Sequence, residues 1–390
     1  MTRILILHNA YKLRGGEDAV VEQEFELLRN GGHDVHLEIV SNDQIAGFGS
    51  KLKTFLSTPY NARRKDWLAK CVARVKPEVV HIHNFFPLLT PAVHEAGAEA
   101  GVAVVQTLHN YRTICAGATL LRDGVVCEKC LGGNRNWGVI HRCYRGSLSG
   151  SLAVVRMQER AFNRNVWSEQ VHRFIALTEF GRSKFISAGI PSDRLAVKPN
   201  FVPDQGAPGE QQRHGALFVG RLSEEKGVSI LIDAWRQLPD FELTILGDGP
   251  EQDALKAAAP SNVRFLGRQT PPAVRQSMMQ AQLLVMPSLW YEGFPVTLVE
   301  SFASGLPVLG SRLGAMKELI EPGVTGDLFT VGDAKDLAAR ARQLLANSES
   351  LADFGRKARG VYEARYTPTA NLRRLEAIYA EAMALAAVAR

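Results

Sequence analysis

Two glutamates follow an apolar run in the stretch MPSLWYEGFPVTLVE, which ends at Glu300. Seven residues separate Glu292 from Glu300, and Pro295 between them is a favourable first residue for a helix. A helix from Pro295 would leave Glu292 in the preceding loop and lean the side chain of Glu300 back towards the helix N-terminus. Both carboxylates could then face one bound molecule and accept hydrogen bonds from vicinal hydroxyl groups, such as those of ribose or a sugar.

Two further stretches place cations and glycines directly after strand-like runs. FVGRLSEEKG ends its apolar run at Gly220 and presents Arg221 and Lys226, and LGDGPE presents Gly247 and Gly249. Cations near helix N-termini, with glycines that allow close backbone approach, favour binding of a diphosphate. Taken singly, such charges are usually surface residues or partners of a helix dipole. Their occurrence together, in this order, favours a binding site.

Histidine and asparagine end two strand-like runs of the first half. VVHIHN ends with His83 and Asn84, and VVQTLHN ends with His109 and Asn110. A histidine at a strand end is more often structural than catalytic, and this is the simpler interpretation of His81. We take His83, Asn84 and Asn110 as candidates for the acceptor side of a site.

The turn LRGGED near the N-terminus lies between a strand and a helix. It lacks the G-x-G-x-x-G spacing, so it supports dinucleotide binding only weakly. Gly15 and Gly16 could let backbone N–H groups approach a phosphate or an acceptor. A tight turn without a ligand is the alternative.

Four of the five cysteines have the spacing C-x11-C-x2-C-x12-C, at Cys115, Cys127, Cys130 and Cys143. A C-x2-C pair with two outlying thiols suits tetrahedral zinc, and a cytosolic chain would keep these thiols reduced. Structural zinc, disulfides and unliganded thiols all stay open. A redox pair at Cys127 and Cys130 is disfavoured because no thioredoxin-like strand and helix surround it.

The elements that must position these residues alternate between strand and helix. RILILH opens a strand, helix and strand unit, and further alternations continue to about residue 198. The Pro- and Gly-rich stretch PNFVPDQGAPGEQQRHG then marks a linker, and a second alternation follows. The chain is therefore expected to be α/β, with two Rossmann-like parallel-sheet domains facing a cleft. We expect an N-terminal domain over 1–200, with a Cys-rich insertion at 115–143 and with 370–390, and a C-terminal domain over 203–368.

Charge is unevenly distributed along the chain. Residues 1–200 carry a net +8, and the rest carry −2. A basic first half suits an anionic lipid surface, a phosphorylated acceptor or nucleic acid. Residues 48–70 interleave basic with aromatic and aliphatic side chains, which fits either a lipid headgroup layer or an amphipathic helix with a solvated basic face. Nucleic-acid binding is disfavoured because no known recognition helix or aromatic sheet motif organises the basic residues.

No apolar run reaches the length of about 18 to 20 residues that a membrane span requires, and MTRILILHNA enters a strand without a signal-peptide pattern. We expect a cytoplasmic protein, with peripheral contact to the inner face of a membrane as a further expectation.

The motifs GRLSEEKG, LGDGPE and EGFPVTLVE followed by SFASGLPVLGS resemble the donor-domain signature of the retaining glycosyltransferases of family 4 (group 1), which have the GT-B fold. The resemblance implies that Arg221 and Lys226 bind the donor diphosphate, Glu300 the ribose and Glu292 the transferred sugar. It also implies that His109 lies beside that sugar.

Other residues of these motifs take donor roles by the same resemblance, at Gly15, Gly16, Gly247, Gly249, Gly293 and Phe294. Many family members have glycine where this chain has Pro295, which supplies no backbone N–H.

The function implied is transfer of a sugar from a nucleoside-diphosphate sugar to an acceptor glycan, lipid-linked, in bacterial polysaccharide or glycolipid synthesis, with retention. His109, Glu292, Arg221 and Lys226 would form the catalytic group. No metal is required, because the protein's own cations would neutralise the diphosphate. The alternatives are a nucleotide-sugar epimerase or hydrolase of the same fold and a non-catalytic nucleotide-sugar binding module.

Overall fold

The computed structural model describes residues 1–12, 15–204, 206, 209 and 213–388, apart from the side chain of Phe48. The chain divides into two compact units. The first comprises Met1–Leu120, Cys127–Asn200 and Asn371–Arg390, and the second comprises Leu121–Val126 and Phe201–Ala370. Part of the expected linker, at residues 205, 207–208 and 210–212, lies outside the described residues, as do residues 13–14 of the glycine-bearing turn.

The described residues before Phe201 form eight strands, of which the two short ones at Leu121–Val126 belong to the second unit. They are β1 (Arg3–Ala10), β2 (Asp34–Ser41), β3 (Val79–Asn84), β4 (Ala103–Leu108), β5 (Leu121–Arg122), β6 (Val125–Val126), β7 (Arg173–Ala176) and β8 (Leu195–Val197). Six of them form a parallel sheet in the order β2-β1-β3-β4-β7-β8, while β5 and β6 pair as an antiparallel hairpin. Strands β3 and β4 are buried along their whole length, as expected for central strands of a parallel sheet covered on both faces.

The helices of this part are α1 (Gly16–Asn30), α2 (Gly47–Ser57), α3 (Ala62–Val75), α4 (Ala92–Glu99), α5 (Trp137–Ile140), α6 (Leu148–Asn163) and α7 (Glu179–Ser187). Polar side chains fix where two of them begin. Asn61 accepts the N–H of Arg64 at 3.3 Å, and Ser147 accepts the N–H of Gly150 at 3.1 Å. Such caps satisfy backbone donors that have no partner within the helix.

The basic stretch 48–70 forms parts of two helices rather than one. Pro59, which has no backbone N–H, follows the end of α2, and the cap at Asn61 starts α3. Helix α2 holds Leu52 and Leu56 48% and 67% exposed, next to exposed lysines. None of the helices in the described part of the chain is long and apolar enough to cross a membrane.

The second unit has a sheet of six parallel strands, β9 (Ala216–Val219), β10 (Leu243–Leu246), β11 (Val263–Gly267), β12 (Leu283–Met286), β13 (Val308–Ser311) and β14 (Gly326–Phe329). Their order is β11-β10-β9-β12-β13-β14. The carboxyl ends of β9, β10 and β12 therefore lie side by side at one edge. Loops that leave adjacent parallel strands at this edge are the usual place for a ligand in such folds.

The remaining helices are α8 (Val228–Trp235), α9 (Gln252–Ala258), α10 (Pro271–Gln280), α11 (Val296–Ala303), α12 (Met316–Leu319), α13 (Ala334–Leu345), α14 (Ser348–Arg365) and α15 (Pro368–Val388). Most of α15 belongs to the first unit. Its Leu375 and Tyr379 pack in one apolar cluster with Ile4 and Val105 of the first sheet. The C-terminal residues are thus part of the core that supports β1 and β4.

Candidate active site

The loop after β9 and the loop after β12 meet through an ion pair. Lys226 Nζ donates to Glu292 Oε1 at 2.7 Å, and Ser288 Oγ donates to the same oxygen at 2.7 Å. The side chain of Glu292 is 8% exposed, whereas that of Lys226 is 24% exposed and lies over the ring of Trp290. Two donors thus fix the carboxylate, and the lysine side chain is more exposed than the glutamate.

Arg221 lies in the same loop as Lys226 and is exposed. A guanidinium and an ammonium group on one loop, at the carboxyl end of a central strand, give this edge of the sheet a positive character. Two cations so placed are suited to offset negative charge on a bound phosphate group.

Close packing between two loops requires glycine at Gly247 and Gly249, apart from any role in binding. A Cβ on Gly247 would lie 1.8 Å from the carbonyl oxygen of Gly220, and a Cβ on Gly249 would lie 2.2 Å from that of Leu222. Gly247 also has a φ of +140°, which side chains rarely adopt. The loops after β9 and β10 can therefore touch only if both positions are glycine. Their contact with a diphosphate stays a prediction.

Glu300 lines a pocket in the second unit. The pocket has a volume of about 230 Å³, and its wall includes Val219 at the end of β9, Gln269, Val274 of α10 and Ser304. Burial raises the pKa of the Glu300 carboxyl above its usual value. A half-buried carboxylate in a mostly apolar wall is suited to accept hydrogen bonds from paired hydroxyl groups.

The loop between the two glutamates is held by apolar packing. Pro295 caps helix α11 instead of starting it, and the helix begins at Val296. Phe294 packs against Tyr366, with ring centroids 6.0 Å apart, and Gly293 before it is half-buried. This packing fixes the loop on which Glu292 lies and the direction of the helix that carries Glu300.

In the first unit, His109 follows β4 and contacts a second histidine. His109 Nε2 lies 2.9 Å from His83 Nδ1. His83 Nε2 lies 3.2 Å from Glu24 Oε1, close enough for an ionic contact but without the geometry of a hydrogen bond. With the proton of His83 on Nε2, facing the carboxylate, Nδ1 of His83 accepts from Nε2 of His109. This tautomer leaves Nδ1 of His109 as a hydrogen-bond acceptor.

Glu24 is the centre of this cluster. Lys198 Nζ donates to its Oε2 at 2.8 Å, and the ammonium also donates to Asn371 at 3.0 Å. Burial alone would raise the pKa of Glu24, but the Lys198 ammonium, with His83 and His81, outweighs burial and holds that pKa well below its usual range. The carboxylate is therefore ionised and paired.

Burial lowers the pKa of two histidines in this cluster. The pKa of His109 falls well below its usual value, first through burial and then through His83, and the pKa of His81 falls for the same reasons. His81 has both ring nitrogens engaged, with Tyr379 and with Thr107, each at 2.8 Å. His81 is thus neutral and built into the fold, as its simpler interpretation supposes.

The acceptor-side candidates differ in their surroundings. Asn84 is buried, and it donates to the carbonyl of Asn9 at 2.7 Å and accepts the N–H of Phe86 at 2.9 Å. His83 is also buried. Direct contact of either with an acceptor would require these partners to be displaced, whereas Asn110 is half-buried.

The glycine-bearing turn is anchored by an aspartate. Asp18 Oδ2 accepts the N–H of Gly15 at 2.7 Å, and its Oδ1 lies 2.8 Å from His8 Nε2. Gly16 is exposed, and a Cβ there would meet no atom within 4 Å. Both glycines are exposed, but Gly15 already uses its N–H inside the turn, whereas Gly16 begins α1.

Four residues of these sites have no place in the sequence-based prediction. They are Asp18, Glu24, Lys198 and Ser288. Ser288 lies only four residues before Glu292, directly after β12, so its position in the strand-end loop was the available signal. Glu24 and Lys198 are 174 residues apart and give no local signal.

Two family models match most of the chain. Glycosyltransferase Family 4 matches residues 14–205, and Glycosyl transferases group 1 matches residues 205–361. The chain belongs to the family 4 (group 1) glycosyltransferases. This confirms the resemblance that the donor-domain motifs carry.

The sequence identity to curated relatives is higher over part of this chain than over nearly all of it. The chain is 32% identical to the amylovoran biosynthesis glycosyltransferase AmsK of Erwinia amylovora over 42% of its own length. It is 26% identical over 88% of its length to a phosphatidyl-myo-inositol mannosyltransferase of Mycolicibacterium smegmatis, covering 85% of that protein. The matched part spans 45% of AmsK and 52% of the corresponding mannosyltransferase of Mycobacterium leprae, about half the length of each.

Solved structures of similar fold confirm the predicted GT-B fold. Anabaena HepE in complex with UDP and glucose superimposes with a TM-score of 0.67 at 19% identity, over 97% of this chain and 99% of HepE. A sucrose-phosphate synthase from Thermosynechococcus elongatus gives a TM-score of 0.71 at 16% identity, over 98% of this chain. At these identities the likeness concerns the fold alone.

Proposed function

We propose that the protein transfers a glycosyl group from a nucleoside-diphosphate sugar to an acceptor glycan. The observation that carries this proposal is one edge of the second sheet, which holds the cations Arg221 and Lys226 and the pocket lined by Glu300. A nucleoside diphosphate needs both features, cations for its phosphates and an acceptor of hydrogen bonds for its ribose.

The nucleoside would occupy the pocket beside Glu300. The ribose hydroxyls would donate to the carboxylate, and the base would lie against the apolar wall that includes Val219 and Val274. The HepE structures with UDP and with UDP-glucose, in the same fold, support a nucleotide-sugar donor. The base and the sugar are left to the binding experiment below.

The diphosphate and the sugar would lie towards Lys226. Because Oε1 of Glu292 already accepts from Lys226 and Ser288, its other oxygen is the one that would accept a sugar hydroxyl. His109, with Nδ1 as an acceptor, keeps the role that the family resemblance implies for it, beside the transferred sugar.

The transfer would proceed with retention by substitution on one face of the sugar. The bond from the anomeric carbon to the diphosphate oxygen breaks, and a bond to the acceptor oxygen forms on the same face. The acceptor hydroxyl gives its proton to the departing diphosphate, and the nucleoside diphosphate leaves. Arg221 and Lys226 would stabilise the negative charge that develops on the leaving group.

Binding measurements on Glu300→Gln test the donor assignment. We expect one ribonucleoside diphosphate, in a calorimetric panel of bases, to bind wild type roughly 10 to 150 times more tightly than the variant, because a charged hydrogen-bond acceptor is lost. The Glu300→Gln change should weaken binding of the 2′-deoxy form of that nucleotide only slightly. Loss of the 2′-hydroxyl and loss of the carboxylate remove the same contact. Equal affinity of both proteins for the ribonucleotide would overturn the ribose assignment.

Two controls accompany this test. Lys256→Ala, an exposed lysine of α9 in the same unit, should leave nucleotide affinity unchanged. Incubation of wild type with the identified nucleotide sugar, without acceptor, should release sugar slowly compared with transfer to an added glycan. Rapid release without acceptor would favour the hydrolase alternative. NMR of the product's anomeric configuration then tests retention.

The acceptor is proposed to be lipid-linked and reached at a membrane surface. Support comes from α2, which exposes Leu52 and Leu56 beside Lys51 and Lys53, a pattern suited to an anionic headgroup layer. Wild type should sediment with vesicles that contain phosphatidylglycerol more than with pure phosphatidylcholine, and Leu52→Asp with Leu56→Asp should abolish the difference. Leu148→Asp, at an exposed leucine of α6, is the control. Absence of vesicle binding by wild type would overturn the membrane proposal but leave donor binding untouched.

A further inference from the structure

The segment from Cys115 to Ser147 has little regular structure and little core. Besides the hairpin of β5 and β6 it contains only the four-residue helix α5 among its described elements. Its buried apolar residues are few and mostly small: Cys115, Ala116, Ala118, Leu120 and Leu131. So small a core would stabilise a segment of this length poorly.

The same segment has an unusual concentration of left-handed backbone. Eight described residues other than glycine have positive φ, and five of them lie here. They are Ala118, Leu120, Asp123, Arg142 and Arg145. Each such residue costs on the order of 1 to 3 kcal/mol and persists only where its surroundings fix it. The segment therefore requires a restraint that its small core does not supply.

Two of the four cysteines of this segment, Cys115 and Cys143, lie next to glycines. A Cβ on Gly117 would lie 3.8 Å from Cys115 Sγ and 3.5 Å from the carbonyl oxygen of Cys143. The carbonyl of Gly138 accepts the N–H of Cys143 at 3.0 Å, and a Cβ on Gly138 would lie 2.8 Å from the Cβ of Ala116, next to Cys115. Glycine at both positions lets the strands of the segment approach closely enough to bring these cysteines together.

Cys130 and Cys127 belong to the same cluster. The thiols of Cys115, Cys143 and Cys127 all lie near enough to the Cys130 thiol to interact with it electrostatically. All of these cysteines carry thiols.

We propose that Cys115, Cys127, Cys130 and Cys143 bind one zinc ion that holds this segment in place. Four thiolates in a C-x2-C pair with two outlying cysteines are the donor set of closed, structural zinc sites. The ion would neutralise the thiolates and tie together the two ends of the strained segment. This site is independent of the proposed transferase activity, because none of its ligands belongs to the donor or acceptor residues.

Zinc binding would require a small closure of the cluster. Zinc at about 2.3 Å from each sulfur draws the sulfurs to within about 3.8 Å of one another. Among the described residues, the group of three ligand atoms that already lie within 4.8 Å is Glu24, His81 and His83. That group does not suit a metal, because Lys198 neutralises Glu24 and both nitrogens of His81 are engaged. No three of the four described thiols meet this 4.8 Å limit, so zinc binding would draw the sulfurs closer together.

Metal analysis of the full chain, expressed with added zinc, tests the proposal. We expect about one zinc per chain in wild type and in Cys71→Ser, which removes the fifth cysteine, on α3 outside the segment. Cys127→Ser should lose the metal. Metal-free wild type, iron in place of zinc, a disulfide among the four cysteines, or unchanged zinc in Cys127→Ser would each overturn the assignment.

A measurement on wild type guards against a variant that fails to fold. A zinc chelator should lower the thermal midpoint of wild type by several degrees and make the four cysteines reactive towards a thiol reagent, and added zinc should reverse both effects. Replacement of zinc by cobalt should give the thiolate-to-metal absorption of tetrahedral sulfur ligands. A chelator that changes neither stability nor thiol reactivity would contradict the proposal.

Discussion

The two units each contain a lysine and glutamate pair of nearly equal length but very different burial. Lys198 and Glu24 are 2.8 Å apart and 1% exposed each, whereas Lys226 and Glu292 are 2.7 Å apart and 24% and 8% exposed. In the first pair every charge has protein partners, with Asn371 on the lysine and His83 and His81 beside the glutamate. In the second pair the lysine side chain is partly exposed.

The pairs differ in burial and not in distance, and this is why we assign the first pair to the fold and propose the second as part of the donor site. Removing two charges from water costs several kcal/mol per ion, and close partners must offset this cost. The buried pair is so closely surrounded that it cannot release a charge to a substrate. The half-open pair keeps its lysine hydrated, so an anion can replace water there at little cost.

Lys198→Met should have the largest effect on stability. It would leave Glu24 buried without its cation, and breaking such a pair costs about 3 to 5 kcal/mol. The free energy of unfolding from urea titration should fall by this amount. Glu24→Gln in the Lys198→Met background should recover part of the loss.

A surface pair provides the control for this change. Arg264 and Glu242 are 2.7 Å apart but largely exposed, so Arg264→Met should cost no more than about 1 kcal/mol. A loss from Lys198→Met as small as that of Arg264→Met would contradict the role assigned to burial.

Lys226→Ala should reverse the pattern, with a large loss of activity and a small loss of stability. If the ammonium stabilises the departing diphosphate, its removal should lower kcat by about 100- to 1,000-fold, the usual cost of one electrostatic contact in the transition state. The free energy of unfolding should change by about 1 kcal/mol or less, because the pair is partly hydrated.

The same activity assay supplies the control and the contrary outcome. Lys256→Ala should transfer sugar at the wild-type rate. If Lys226→Ala unfolds the protein instead, the pair would belong with Lys198 and Glu24 as a structural one, and the proposed contact with the diphosphate would lose its support.

The sequence analysis named both residues of the second pair as site candidates, though not their ion pair, and it named neither residue of the first. Lys226 and Glu292 lie in loops that directly follow strands, where the order of strands in a parallel sheet brings loop residues together. The pairing of Glu24 with Lys198 depends on how α1 packs against the end of β8, across 174 residues. No local pattern encodes such a contact, because each residue alone looks like an ordinary surface charge.

The glycines and the basic segment illustrate a second limit. Gly247 and Gly249 are predicted as places where a phosphate approaches the backbone. In the structure the loops after β9 and β10 also contact each other there, which excludes a side chain at either position. The segment 48–70 was expected as one amphipathic element, and Pro59 divides it into α2 and α3. Composition indicated a basic and partly apolar surface, but the break between α2 and α3 depends on Pro59 alone.

Acid should distinguish the two units, since nine of the ten histidines lie in the first. Burial lowers the pKa of His94, and of His172, from 6.5 to about 4. These groups are neutral when folded but take up protons when unfolded below pH 6.5. Their contribution to stability is therefore complete above pH 6.5 and is lost as the pH falls towards 4, by about 1.4 kcal/mol per pH unit for each histidine.

The stability of the second unit should change in the opposite direction as the pH falls. Burial raises the pKa of Glu300, so the folded unit binds a proton there more readily than the unfolded chain does, and moderate acid favours it. Hydrogen exchange at pH 7 and pH 5, corrected for intrinsic rates, should show loss of protection in peptides of the first sheet and not of the second. His94→Gln should reduce that loss, because its buried partner Gln106 can still hydrogen-bond to an amide that does not titrate. Equal loss in both units would mean that the buried histidines do not govern acid stability.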